Sequence, residues 1–194
     1  MTRCVFLDRD GTVIYDKGYT CKVEDVLLIP RAAQAIKKLN NAGFLVIIMS
    51  NQSGIARGYF DIDAVTKVNA EIQRKLAKYG AYIDASYYCP HFTEGKNKKY
   101  VKKCLCRKPS QGMIKMAARD FKIDIKKSFV VGDKLTDVLF GKRAGAKTIL
   151  VLTGEGAKEA KKITEKSKPD FIAKDLNFAV KKILSYTQRH NRRV

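Results

Sequence analysis

The stretch VFLDRDGT, residues 5–12, decides how the rest of the chain is read. Val5, Phe6 and Leu7 suit a buried strand, yet the run ends abruptly in two carboxylates, Asp8 and Asp10. A buried charge is costly unless it is paired or bound. A charge pair at a strand end therefore points to a working edge of a sheet, and the other strand ends become the next question.

Further strand-like runs occur at 3–7, 44–49, 85–89, 128–131 and 148–152, with a weaker one at 170–173. Between them lie helical patterns at 31–41, 62–79, 111–121 and 134–144, and a last one at 176–188. Gly43 and Gly80 stand where helices should stop, and Pro30 where the first should start. Strands alternating with helices predict an α/β fold: a Rossmann-like parallel sheet sandwiched by helices. The whole chain, 1–194, reads as one domain with a long loop at 89–108 and a basic C-terminal tail at about 189–194.

In such sheets ligands bind beyond the carboxyl ends of the strands. The first strand ends in Asp8-Arg9-Asp10-Gly11-Thr12 and the second in Ser50-Asn51-Gln52-Ser53-Gly54. Arg107-Lys108-Pro109 follows the third, and Gly132-Asp133-Lys134-Leu135-Thr136-Asp137 the fourth. Carboxylates, a hydroxyl, amides and cations thus converge from four loops. Phosphoryl transfer fits this mixture. A carboxylate, Asp8, can attack phosphorus once a hard cation screens the repulsion. Asp8, Asp10 and Asp133 supply the oxygen ligands that Mg²⁺ requires. Ser50 and Lys108 can bind phosphoryl oxygens. Asp10 can protonate the leaving alcohol and then deprotonate the attacking water.

A second metal signal is Cys89-Pro90-His91, twelve residues, then Cys104-Leu105-Cys106. Three thiols and an imidazole in two close pairs suit a closed structural Zn²⁺ site. A connection this long is uncommon unless stapled, and six cations between Lys96 and Arg107 would favour an open loop. Disulfides or two incidental cysteine clusters are the competing readings, and the expected cytoplasmic location argues against disulfides. Cys4 falls in the first strand's core, and Cys21 has no evident partner.

Together, DRDGT, the Ser-Asn pair, the Lys and GDxxxD resemble the haloacid dehalogenase superfamily of aspartate-nucleophile phosphatases over residues 3–155. The resemblance implies that Asp8 forms an aspartyl-phosphate and that Asp10 is the acid/base. It also implies that Mg²⁺ is held by Asp8, Asp133 and the backbone carbonyl of Asp10. Asp137 would orient Lys134 or a metal-bound water. The motifs CPH…CxCRKP, NQSGIARG and GDKLxD resemble the heptose-bisphosphate phosphatase branch, as do Asp16, Lys17, Gly18 and Tyr19, which stand at its substrate-binding segment. Thr20 and Cys21 depart from that pattern. Histidinol-phosphate phosphatases carry a similar but shorter zinc loop. The implied substrate is a small phosphorylated sugar with a second phosphate. Arg107, fixed beside a zinc ligand, is expected to read that distal group. Arg57 and Lys134 are further candidates. Asn51, Gln52 and Ser53 are expected to face the ligand.

The charge balance, 39 Lys and Arg against 19 Asp and Glu, attracts anions of any size. Lysines crowd 96–103 and 158–168, but aromatics do not interleave with them as a base-stacking surface needs. A histidinol-phosphate phosphatase, a nucleic-acid 3′-phosphatase and an inert polyanion-binding module are the rival readings. Neither nucleic acid nor membrane is an expected partner. No apolar run reaches membrane-span length, and the N-terminus lacks the zones of a signal peptide. No long amphipathic face offers a dimer seam, so a monomer is expected.

Overall fold

Alternation along the strands builds the core. In β1 (Cys4–Leu7), Val5 and Leu7 join one buried cluster while Cys4 and Phe6 join another. In β2 (Leu45–Asn51), Val46 and Ile48 face the first cluster, and Ile47 and Met49 the second. Side chains two apart share a face, so both faces of this sheet are apolar and both must be covered.

The computed structural model describes residues 2–191. After β1 the chain runs through α1 (Ala32–Asn41), β2, α2 (Gly54–Arg57), α3 (Ile62–Ala77), β3 (Ala85–Cys89) and α4 (Gly112–Asp120). It continues through β4 (Phe129–Gly132), α5 (Leu135–Ala144), β5 (Lys147–Val151), α6 (Gly156–Ala160), β6 (Phe171–Ala173) and α7 (Leu176–Asn191). The six strands form one parallel sheet in the order β3-β2-β1-β4-β5-β6. This is the Rossmann-like order expected from the alternation. Ile36, Leu39, Val68, Ile72 and Ile183 of α1, α3 and α7 cover one face. Met113, Ile114 and Phe140 of α4 and α5 cover the other. Asp61 caps α3 by accepting from the Ala64 N–H at 2.9 Å.

The strand order reverses between β1 and β4, where Asp8 and Asp133 leave the sheet. A crevice opens at such a switch point. The backbone N–H of Asp8 still donates to Val131 at 2.9 Å, so the ladder carries its Cα rigidly to the sheet's edge.

Two local expectations need correction, and two short helices went unread. Pro30 precedes α1 instead of opening it, because Arg31 takes a left-handed φ of 65° as N-cap. The short helices α2 and α6 were not legible, being a single turn each. Part of the expected tail is helix: α7 runs through Asn191, and 192–194 lie outside the described residues. Among the described residues no helix is long and apolar enough to cross a membrane.

Candidate active site

At the switch point lies a cavity of about 430 Å³. Asp8, Asp10, Asp16, Gly18, Tyr19, Ser50, Asn51, Gln52, Ser53, Arg107, Lys108 and Lys134 all line it, with Thr136 and Asp137. Most of the sequence-predicted set is therefore in one place. Three members do not line it: Asp133, which is fully buried beside Asp8, and two others. Lys17 pairs with Asp25 at 3.1 Å on the exposed side of its loop. Arg57 lies against the Phe92 ring, 4.2 Å from its centroid. Neither lines the cavity.

Lys108 is the centre of the buried charges. Its Nζ donates to Asp8 Oδ1 at 2.7 Å and to the Met49 carbonyl at 2.6 Å, and it pairs with Asp137 Oδ1 at 2.5 Å. Burial works against the ammonium, but Asp137 and Asp8 more than offset it, and its pKa is raised. Asn51 spends its amide on the backbone of Lys108, donating to its carbonyl at 3.1 Å and accepting its N–H at 3.0 Å. The residue expected to face the ligand thus locks the lysine's approach. Asp137 was expected to orient Lys134 or a metal-bound water. Its Oδ2 does accept the Lys134 backbone N–H, at 3.1 Å, but its other oxygen belongs to Lys108. The Lys134 ammonium instead faces Asp16, 3.7 Å away.

Asp10 is held from the other side. Arg9, only 1% exposed, donates from Nε to Asp10 Oδ2 at 3.0 Å and from Nη2 to Oδ1 at 3.2 Å. The same Nη2 reaches the Thr20 carbonyl and Gln52 Oε1. Gln52 Nε2 donates to Asp10 Oδ2 at 3.1 Å and also to the Ser50 hydroxyl. Gln52 therefore links Ser50 to Asp10. Burial raises the Asp10 carboxyl above its ordinary range, Arg9 opposes this and Asp8 adds to it. A carboxyl that keeps its proton more readily suits general acid work. Sequence reasoning missed Arg9 as a site residue. Its signal was a charged residue inside a strand end, with no indication of which way it turned.

Asp133 completes the floor. Gly11 and Gly154, both at positive φ, let the backbone close over it. A Cβ on either would stand 2.2 Å from Asp133 Oδ2. That oxygen accepts the Glu155 N–H at 2.9 Å, whereas Oδ1 is buried with no hydrogen-bond partner. Burial, with the charges of Asp8 and Asp137, pushes the Asp133 pKa up to about 8. Burial also pushes Asp137 up, to about 6, with Lys108 opposing. Oxygens of Asp8, Asp133 and Asp137 lie within 4.8 Å of one another. An orphaned carboxylate oxygen in an all-oxygen cluster fits a hard divalent cation.

The long loop brings a second donor set together. Sγ atoms of Cys89, Cys104 and Cys106 are 3.0–3.5 Å apart. His91 Nδ1 lies 3.2 Å from Cys106 Sγ and 3.7 Å from Cys89 Sγ. All are free thiols. A tetrahedron with bonds of about 2.3 Å has edges of roughly 3.8 Å, so this nitrogen-and-sulfur set fits zinc with a small expansion. Cys4 is buried in the core as expected.

Fold and site together define a hydrolase of the haloacid dehalogenase type. A family model described as HAD-hydrolase-like matches residues 105–179. The D-glycero-beta-D-manno-heptose-1,7-bisphosphate 7-phosphatase of Haemophilus ducreyi is 44% identical over 165 residues, covering 81% of this chain and 90% of the relative. The D-glycero-D-manno-heptose-1,7-bisphosphate 7-phosphatase of Thermosynechococcus vestitus is 42% identical over 187 residues, 94% of this chain and 95% of the relative. The chain belongs to the heptose-1,7-bisphosphate 7-phosphatase family of these hydrolases. Among solved structures, the D,D-heptose 1,7-bisphosphate phosphatase of B. bronchiseptica, complexed with magnesium and phosphate, superposes with a TM-score of 0.85. It is 31% identical, with 95% of this chain and 99% of that one covered.

Proposed function

We propose that this protein hydrolyses the 7-phosphate of D-glycero-D-manno-heptose 1,7-bisphosphate, releasing heptose 1-phosphate and inorganic phosphate. The observation that carries the reading is that Asp8, Lys108 and an Arg9-bound Asp10 line one cavity, with the buried Asp133 carboxylate clustered beside Asp8.

Asp8 is the nucleophile in this reading. Its carboxylate attacks phosphorus, the bond to the sugar oxygen breaks, and Asp10 gives that oxygen its proton. Asp10 then takes a proton from water, which attacks the aspartyl-phosphate and frees both phosphate and Asp8. Lys108 and Ser50 hold phosphoryl oxygens as charge develops. Gln52 and Arg9 keep the Asp10 carboxyl aimed into the cavity. Mg²⁺, when bound by Asp8, Asp133 and the Asp10 carbonyl, screens the carboxylates from the phosphate. Asp137 acts on Lys108, with both its oxygens already engaged.

Zn²⁺ at Cys89, His91, Cys104 and Cys106 staples the loop that presents Arg107. Arg107 lines the cavity and donates from Nη1 to the His91 carbonyl at 3.2 Å. It is the residue proposed to read the second phosphate, with Lys134, Ser53, Asp16, Gly18 and Tyr19 around the sugar. Reduced thiols at such a centre suit a cytoplasmic location. The substrate is small, and the chain is taken to act as a monomer without nucleic acid.

Phosphate release with Mg²⁺ should be fastest from heptose 1,7-bisphosphate, in a panel with both anomers, histidinol phosphate and a 3′-phosphorylated oligonucleotide. Asp8→Asn should abolish it. A preference for histidinol phosphate or the oligonucleotide, or turnover surviving in Asp8→Asn, would overturn the reading.

A further inference from the structure

Phe92 follows the zinc-loop ligand His91, and two guanidinium groups lie over its ring. Arg57, at the end of α2, is 4.2 Å from the ring centroid, and Arg107 is 4.8 Å away. Neither arginine pairs with a carboxylate among the described residues. The Arg57 Nε is buried without a hydrogen-bond partner. Two unneutralised guanidiniums around one ring repel each other. The negative faces of the ring offset part of that repulsion.

The backbone that carries the ring is tied on both sides. Phe92 accepts the Lys102 N–H at 2.9 Å and donates to the Tyr100 carbonyl at 3.3 Å, bridging across the loop to Val101. The loop also leans on α2, where Asn97 donates to the Ala56 carbonyl at 3.0 Å. α2 in turn follows directly from Ser50–Ser53 at the end of β2. A chain of contacts therefore runs from the floor of the cavity through Arg57 and Phe92 to Arg107 at its wall.

We propose that Phe92, backed by Arg57, is a positioning residue that holds the Arg107 guanidinium toward the cavity and so sets the preference for a doubly phosphorylated substrate. The inference rests on the proposed role of Arg107. Phe92 touches no reacting atom; the ring restricts Arg107 to one orientation, and Arg57 adds a second positive charge behind it.

The test compares KM and kcat on heptose 1,7-bisphosphate with those on heptose 7-phosphate. Phe92→Leu keeps apolar volume and removes the ring. It should raise KM for the bisphosphate about tenfold, while kcat and the monophosphate KM shift less than about twofold. Phe92→Tyr should restore the wild-type constants. Arg57→Gln should raise the bisphosphate KM about threefold by the same route. Zinc content, measured in each variant, should stay at about one per chain. If Phe92→Leu loses zinc or fails to fold, the same comparison on Arg57→Gln decides the matter. Equal effects on the two substrates, or none, would overturn the proposal. Arg107→Ala is the reference. If it fails to discriminate, the assignment of Arg107 is at fault; if it discriminates and the Phe92 and Arg57 variants do not, the positioning role is.

Discussion

Asp133→Asn should stabilise the metal-free protein at pH 8 while destroying its phosphatase activity. The reason is the crowding of Asp8, Asp133 and Asp137, whose oxygens lie within 4.8 Å. The Asp133 carboxyl is raised from 3.8 to about 8. An acid whose folded pKa is raised contributes stability that is complete below its unfolded pKa and is lost as pH rises through the folded one. The metal-free fold therefore weakens steadily between about pH 4 and pH 8. A rise of about four pH units at about 1.36 kcal/mol each bounds the penalty at about 5 kcal/mol. Asp8 and Asp137 stay crowded and desolvated after the change, so the substitution recovers about half of this bound, roughly 3 kcal/mol. Asparagine keeps an oxygen to accept the Glu155 N–H. At about 2–4 °C per kcal/mol for a chain of this size, the melting temperature should rise by about 6–12 °C. The assay is thermal denaturation in EDTA at pH 8 and pH 5, repeated with Mg²⁺. The gain should shrink at pH 5, where wild-type Asp133 already carries a proton. Mg²⁺ should stabilise the wild type more than the variant. A lower melting temperature for Asp133→Asn in EDTA at pH 8 would refute the reasoning.

Lys108→Gln should reduce kcat about 10²–10³-fold, as loss of a single transition-state donor does, and steady-state kinetics will check it. It should also destabilise the metal-free fold by about 3–5 kcal/mol, because Asp8 and Asp137 lose a shared cation; denaturant titration reads this directly. Gly11→Ala places a Cβ 2.2 Å from Asp133 Oδ2 at a φ of 83°, so activity should collapse even though no reacting group has changed. Near-normal kcat in that variant would show that the floor tolerates displacement. Cys104→Ser should lose about one zinc per chain by metal analysis and weaken the preference for the bisphosphate over the monophosphate.

Much of this site could be read before any fold was known, for a physical reason. Asp8 and Asp133 end apolar runs, and a strand end fixes where a side chain emerges. Cys89, His91, Cys104 and Cys106 were legible because two short spacings place donors side by side. What escaped depended on contacts between distant segments. Arg9 could have pointed outward; it turns inward because Asp10, Gln52 and the Thr20 carbonyl meet it there. Asn51 looked like a ligand-facing amide, but Lys108, 57 positions later, supplies both its partners. Asp137 was placed correctly in α5, yet its pairing with Lys108 follows from how the loop after β3 folds back beneath it. Periodicity carries no information about such meetings. The helices α2 and α6 escaped for a different reason, since one turn is too short to display a face.

The sunken cluster of Asp8, Asp133 and Asp137 sits inside a molecule whose formal net charge is +20. In the proposed reaction the two ions to be bound therefore experience opposite far fields. The sugar phosphate is drawn inward from a distance, while the magnesium ion has to cross a repulsive exterior before the acidic well captures it. Added electrolyte screens both, so it should slow capture of the one and ease entry of the other. Overall turnover should then peak at an intermediate ionic strength whose position shifts with the magnesium supplied.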